Sequence, residues 1–125
     1  MGGSFDPGTI DRLRSAEEVE IETSAAPGAT RHRTIIWIVV DGQDRVFIRS
    51  IRGTIARWFR EAVAKPATVL HHEGHAIQVT TTLATDPERV AACSQGFLTK
   101  YAGHGPAPSM VAERTLEATL ELLPR

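Results

Sequence analysis

Apolar residues recur along the chain with two periods, and each period marks a kind of element. Glu18-Val19-Glu20-Ile21-Glu22-Thr23 alternates polar and apolar, the two-residue period of a half-buried strand. Thr34 to Val40 is a nearly continuous β-branched and aromatic run, expected as a strand covered on both faces. Arg45 to Arg49 alternates again, and Asp41-Gly42 supplies turn chemistry, so the two strands are expected to pair antiparallel. Ile55, Trp58, Phe59, Ala62 and Val63 then fall at i, i+3, i+4, i+7 and i+8, predicting an amphipathic helix over Thr54–Ala64 that Lys65-Pro66 stops.

Further on, Ala67–His72 and His75–Leu83 read as a second hairpin turning at Glu73-Gly74. Two helix starts carry the same signature, an aspartate followed by proline. Asp6-Pro7 opens a short helix with Ile10 and Leu13 inward, and Asp86-Pro87 opens one running through Val90, Cys93, Phe97 and Leu98 towards Tyr101. Ala25-Ala26-Pro27-Gly28 and the stretch from Ala102 to Pro108 are loops by composition. Ser109–Arg114 is expected as one more turn, and Thr115–Leu122 alternates as a closing strand. The elements sum to an α+β, mainly β chain. The expected architecture is a six-stranded antiparallel barrel with flanking helices over its openings.

Length and composition narrow the setting. A chain of 125 residues suits one domain, read as residues 6–125 after a flexible lead-in of residues 1–5. The single Cys93 excludes an intramolecular disulfide and suits a reducing cytoplasm. No apolar run approaches the ~20 residues that cross a bilayer. The amino terminus lacks the basic and apolar segments of a secretory signal, so no membrane partner is expected. A formal charge of −1 argues against nucleic acid as a partner. The charge is uneven, however: residues 31–65 hold eight basic side chains against three acidic ones. A positive segment in an otherwise acidic chain fits a small anion.

The turn Arg49-Ser50-Ile51-Arg52-Gly53 and the helix start after it concentrate that charge. Unpaired amides at a helix start, the hydroxyls of Ser50 and Thr54, a glycine at Gly53, and Arg52 with Arg57 together supply donors suited to a phosphate, although their spacing matches no tight phosphate-loop pattern. The competing reading is that Thr54 caps the helix while the arginines lie in solvent. Other candidates are weaker by spacing. His72, Glu73 and His75 match no zinc or facial-triad pattern, and read as a polar hairpin tip. Cys93 falls on a buried stripe as an inert core residue, Tyr101 and His104 read as loop residues, and Glu18, Glu20 and Glu22 read as a solvated strand face.

The succession Arg33-Thr34-x-x-Trp37-x-Val39-x-Asp41-Gly42, then Val46-x-Ile48-Arg49-Ser50-x-Arg52-Gly53, then Arg57-Trp58-x-Arg60-x-Ala62 with Pro66, resembles a split β-barrel family. More closely, it resembles the small uncharacterised bacterial branch of the flavin- and deazaflavin-binding, pyridoxamine-phosphate-oxidase-like proteins, over about Asp6 to Leu122. The resemblance implies FMN or a deazaflavin coenzyme as cofactor and an oxidoreductase acting on a small organic substrate. It places Arg33, Thr34 and Ile35 at the ring edge, Trp37 or Trp58 flanking the ring, and Arg49, Ser50, Arg52 and Gly53 at the phosphate with Arg57 in support. Arg52 stands where relatives carry lysine. The resemblance also implies a homodimer with the site at its two-fold interface. The alternative is a non-catalytic barrel that binds a small anion, or only dimerises, without flavin.

Overall fold

The computed structural model describes residues 4–125, so residues 1–3 of the expected lead-in lie outside the described residues. Helix α1 spans Pro7–Ser15, and the strands are β1 Val19–Ser24, β2 Arg31–Ile36, β3 Val39–Val40 and β4 Val46–Arg49. After a 3-10 turn at Gly53–Ile55 come α2 Arg57–Ala64, β5 Ala67–His72, β6 His75–Leu83 and α3 Pro87–Lys100. Two short helices, α4 Ala107–Met110 and α5 Glu113–Leu116, lead into β7 Thr119–Pro124. Both Asp-Pro starts behave as read. Asp6 and Asp86 accept the amides of Thr9 and Arg89 at 3.1 and 3.0 Å, with proline in the first turn.

All seven strands join one antiparallel sheet in the order β2-β1-β5-β6-β7-β4-β3. The edge strands β2 and β3 are neighbours in sequence, separated only by Trp37-Ile38. Three residues of extended chain reach at most roughly 11 Å, so the sheet must curl until its edges almost meet. The result is a barrel split at that seam.

The strand count is therefore seven rather than six. The expected single strand Thr34–Val40 divides at Trp37-Ile38. Its first part runs along β1, with Val19 opposite Ile36 and Ser24 opposite Arg31. Only Val39 and Val40 pair with β4, opposite Phe47 and Val46. The break is made by long-range bonds. The Tyr101 hydroxyl lies 3.2 Å from the Ile38 amide as its acceptor, and Lys100 Nζ donates to the Ile38 carbonyl at 2.7 Å. Side chains of α3 and its C-cap thus replace ladder partners where the chain crosses between the edges.

Two apolar clusters result. The larger fills the barrel with Ile21, Ile38, Val46, Ile48, Leu70, Val79, Leu120 and Leu122, closed by α1 and α2. The smaller packs α3 onto the outside of β3 and β4 through Val39, Phe47, Cys93, Phe97 and Tyr101. Every residue of β4 is buried because one of its faces looks into the barrel and the other lies under α3.

Helix α2 begins at Arg57, three residues later than expected, with Ala56 at its N-cap and no side-chain cap. Trp58, Phe59 and Ala62 are buried as the period predicts, whereas Ile55 is 66% exposed and Val63 is exposed. Strand threonines seat the helix: Thr23 Oγ1 donates to Glu61 Oε1 at 2.8 Å and Thr81 Oγ1 to the Ala62 carbonyl at 2.7 Å. The closing strand starts at Thr119 rather than Thr115. The Thr115 hydroxyl instead turns back to the Ala112 and Met110 carbonyls at 2.6 and 3.0 Å, holding it in α5.

Gly53 has a φ of +71°, and a Cβ there would stand 3.0 Å from the Arg114 carbonyl oxygen. Gly53→Ala is expected to lower unfolding free energy by about 1–3 kcal/mol, the cost of an alanine held in left-handed backbone. A urea-unfolding midpoint unchanged from wild type would contradict this.

Candidate functional site

A cavity of about 250 Å³ opens beside the seam of the barrel. Its walls come from the β2 end (Ile35, Ile36), the seam (Trp37), the end of β4 and the turn after it (Arg49, Ile51), α2 (Trp58), and the Pro106–Met110 segment. Glu18, at the entry to β1, completes the lining. Apart from Arg49 and Glu18 the walls are apolar or aromatic, suited to a flat ring with few polar edges.

Trp37 is held from behind. Its ring stacks on Tyr101 with centroids 3.9 Å apart and planes 2° from parallel, and His104 meets both rings edge-on at 5.6 Å. Tyr101 is itself anchored, donating its hydroxyl proton to the Glu17 carbonyl at 2.6 Å while accepting from the Ile38 amide. Burial pushes the Tyr101 phenol up to about 12, so it stays protonated at neutral pH. Tyr101 therefore fixes the aromatic wall rather than standing in the cavity lining.

Arg49 is the principal charge in this wall. It is 1% exposed. Nε donates to Thr119 Oγ1 at 2.8 Å, Nη1 to Ser94 Oγ at 2.8 Å and to the Met110 carbonyl at 3.1 Å, and Nη2 to the Val90 carbonyl at 3.0 Å. All four acceptors are neutral, and one N–H of Nη2 has no acceptor among the described residues. Burial pulls its pKa down, though an arginine remains charged at any physiological pH. The cavity wall thus contains a buried, uncompensated cation. Such a charge is costly alone and favours an anion or a carbonyl-rich edge beside it.

Ile35, Trp37, Arg49 and Trp58 are gathered around this cavity, with Ile35 61% exposed at its rim. The other positions of the phosphate and ring-edge pattern lie elsewhere. Arg33 pairs with Glu20 at 2.9 Å. Thr34 receives Arg57 Nη2 at 3.4 Å, while Arg57 Nε sits 4.0 Å from Glu61. Ser50 is buried with its hydroxyl unpartnered, Gly53 backs onto Arg114, and Arg52 is exposed. Sequence reasoning missed Ile36, Ile51, Pro106 and Met110 as lining residues. Pro106 and Met110 arrive from a distant loop, and no local pattern reports that approach. Glu18, read only as part of a solvated face, lies at the cavity mouth.

The remaining candidates settle into structural roles. His72 Nδ1 and His75 Nε2 face Arg12 Nη1 and Nη2 at 3.3 and 3.0 Å, so a guanidinium stands where a metal would. Among the described residues no group of three or more His, Cys, Asp or Glu is arranged to hold a metal ion. Burial pushes the Cys93 thiol up to about 12, which leaves it a poor nucleophile. Glu22 is not merely solvated. Arg31 and His71 each hold it at 2.6 Å, the arginine bond first in keeping its pKa low. Among the described residues no helix is long and apolar enough to cross a membrane.

Residues 9–122 match the family described as "Uncharacterized protein conserved in bacteria (DUF2255)", and the chain belongs to it. No protein of curated function matches the chain. Campylobacter jejuni ChuZ superposes with a TM-score of 0.73 at 13% identity, over 94% of this chain and 52% of ChuZ. The chain thus spans about half the length of that protein. HutZ, the haem storage protein from Vibrio cholerae, gives 0.65 at 12% identity over 98% of this chain and 91% of its own. An F420-H2-dependent reductase, FDR-A, gives 0.62 at 11% identity over 86% and 93%. One further match is described as a domain-swapped dimer. The shared feature is the fold, the split β-barrel of the pyridoxamine-phosphate-oxidase-like proteins.

Two outcomes test the wall behind the cavity. Tyr101→Phe leaves the buried Ile38 amide without its acceptor, at an expected cost of about 1–3 kcal/mol in stability. Trp37 emission should change with it, measured by fluorescence against wild type. Lys100, half-buried and bonded to the Leu13 and Ile38 carbonyls, is pulled down to about 8 by burial. The unfolded chain then binds more protons between pH 8 and the ordinary lysine pKa, so stability from this group rises with pH across that window. Lys100→Met should flatten the rise in a series of urea unfolding curves from pH 7.5 to 9.5.

Proposed function

We propose that this chain binds a flavin- or deazaflavin-type cofactor against the Trp37 wall and serves as an oxidoreductase on a small organic substrate. The observation that carries the reading is the pairing of an apolar, aromatic-walled cavity with the buried, uncompensated Arg49. A tricyclic ring offers both faces to Trp37, Ile35 and Trp58, and its carbonyl edge offers acceptors to the spare Arg49 N–H. When bound, such a cofactor supplies the hydride chemistry, so the chain needs no acid–base pair of its own. The residues of this chain orient the ring, exclude water from one face and balance charge.

At about 250 Å³ the cavity falls below the ~300–1,000 Å³ usual for enclosed ligands. The ring would therefore seat here while its phosphate tail extends outward, towards exposed Arg52 and Arg57 rather than inward-facing Ser50 and Gly53. Exposed Ile35, Ile51 and Ile55 favour a second copy of the chain completing the site as a homodimer. The buried thiol of Cys93 suits a reducing cytoplasm. A second reading, a non-catalytic binder of another ligand, draws on the inward turn of Ser50 and Gly53 and on the likeness to a haem storage protein.

Titration of purified protein with FMN, with F420 and with haem, followed by absorbance and thermal shift, separates these readings. FMN or F420 should bind. Ile35→Asp, at an exposed rim position, should weaken that binding at least about tenfold by placing a carboxylate against the ring. Arg52→Ala should cost about 1.5–3 kcal/mol of cofactor affinity, the range for a charged hydrogen bond. Haem binding alone, or no binding of FMN and F420 at high micromolar concentration, would sink the flavin reading.

A further inference from the structure

We propose that a second concavity, separate from the Trp37 cavity, binds a phosphate group. It spans about 210 Å³ between the end of β1, the start of β2, the start of β5, Gln78 of β6 and the C-terminal end of α2, and it shares no lining residue with the first cavity. At about 210 Å³ it lies below the ~300–1,000 Å³ usual for ligand pockets, a size that suits a small oxyanion better than a nucleotide. Arg31, Lys65 and Arg125 converge on it, with Thr68 and Gln78 in its lining.

The charge balance points to an anion. Glu22 contributes the cavity's carboxylate, and it is already engaged by Arg31 and His71, both at 2.6 Å. Lys65 and Arg125 have no acidic partner among the described residues. Lys65 Nζ donates to the Ala67 carbonyl at 3.0 Å. Arg125 donates to the Thr68 carbonyl at 2.8 Å, the Val79 carbonyl at 3.2 Å and Gln78 Oε1 at 3.0 Å. Two cations are thus held in place at successive carbonyls of β5 with only neutral acceptors.

Thr68 adds an independent sign. It is buried, and its hydroxyl has no hydrogen-bond partner. The other threonines around this end of the barrel, Thr23 and Thr81, both donate to α2. A buried hydroxyl left unpaired costs about 1–3 kcal/mol, and a phosphate oxygen drawn in between Lys65 and Arg125 would supply its acceptor. Phosphate suits the site better than a carboxylate because its oxygens can meet the ammonium, the guanidinium and the hydroxyl from three directions.

The test is an amide NMR titration of the full chain with inorganic phosphate and with phenyl phosphate, at ionic strength matched by sodium chloride. Saturable shifts are expected at Ser24, Thr68 and Gln78. Tighter saturation with phenyl phosphate would mark a phosphomonoester site, and equal or tighter saturation with inorganic phosphate a site for the free ion. Lys65→Met and Arg125→Met, both at accessible side chains, should each weaken binding about tenfold, as expected for loss of a charged hydrogen bond. Thr68→Val should weaken it without loss of thermal stability. Arg52→Met should leave it unchanged, which separates this site from the flavin reading. Shifts that match the chloride control, or wild-type affinity in the Lys65→Met/Arg125→Met double variant, would overturn the proposal.

Discussion

The structure depends on how a curled sheet is held shut where its two edges meet. A β-sheet edge presents unpaired amides and carbonyls, and a barrel removes that liability only if the edges join. Here they do not pair. The chain itself crosses from one edge to the other through Trp37-Ile38, and the peptide groups of Ile38, which lack ladder partners, are satisfied by Tyr101 and Lys100 from the end of α3. The stacking of Trp37 on Tyr101 follows from the same anchoring. The seam that closes the barrel is therefore also the wall of the cavity, and stability and cavity shape share the same few bonds.

A second theme is positive charge taken inside without acidic partners. Arg49 spends its donors on two hydroxyls and two carbonyls, tying β4 and β7 to α3 and α4. This makes it a structural bolt and an electrostatic bias at once. The surface arginines differ. Arg45 is clamped between Asp41 and Glu88, and Arg89 between Asp86 and Glu121, pairings that neutralise charge locally. Arg49, 1% exposed, has no such acidic partner among the described residues.

How much of this was legible in the sequence follows the range of the interactions. Both Asp-Pro helix starts, the Glu73-Gly74 hairpin and the buried positions Trp58, Phe59 and Ala62 were readable because their causes lie within a few residues. The division of Thr34–Val40 was not, since a continuous β-branched run contains no breaker and the interruption comes from Tyr101, 63 residues away. Ile55 and Val63 fitted the helical period yet stay exposed: Ile55 lies in the 3-10 turn before α2, and Val63 lies off the face that α2 buries through Trp58, Phe59 and Ala62. Of the candidate site, the apolar and aromatic members Ile35, Trp37 and Trp58 were found with Arg49. The polar turn was readable as a composition but not as a direction, and direction decides whether Ser50 and Gly53 face ligand or core.

The position of β7 has a consequence for how the chain comes together. As the last strand in sequence it lies between β6 and β4, and its pairings with those two strands join the part of the sheet holding β1, β2, β5 and β6 to the part holding β3 and β4. The β5–β6 hairpin closes over two residues, a local pairing with little loop to close. The other half waits for β7, so an emerging polypeptide carries open sheet edges and an unfilled interior until the β7 segment is made. Order of synthesis and order of assembly are thus opposed in this topology, and the interval between them is when nascent chains are most exposed to mispairing.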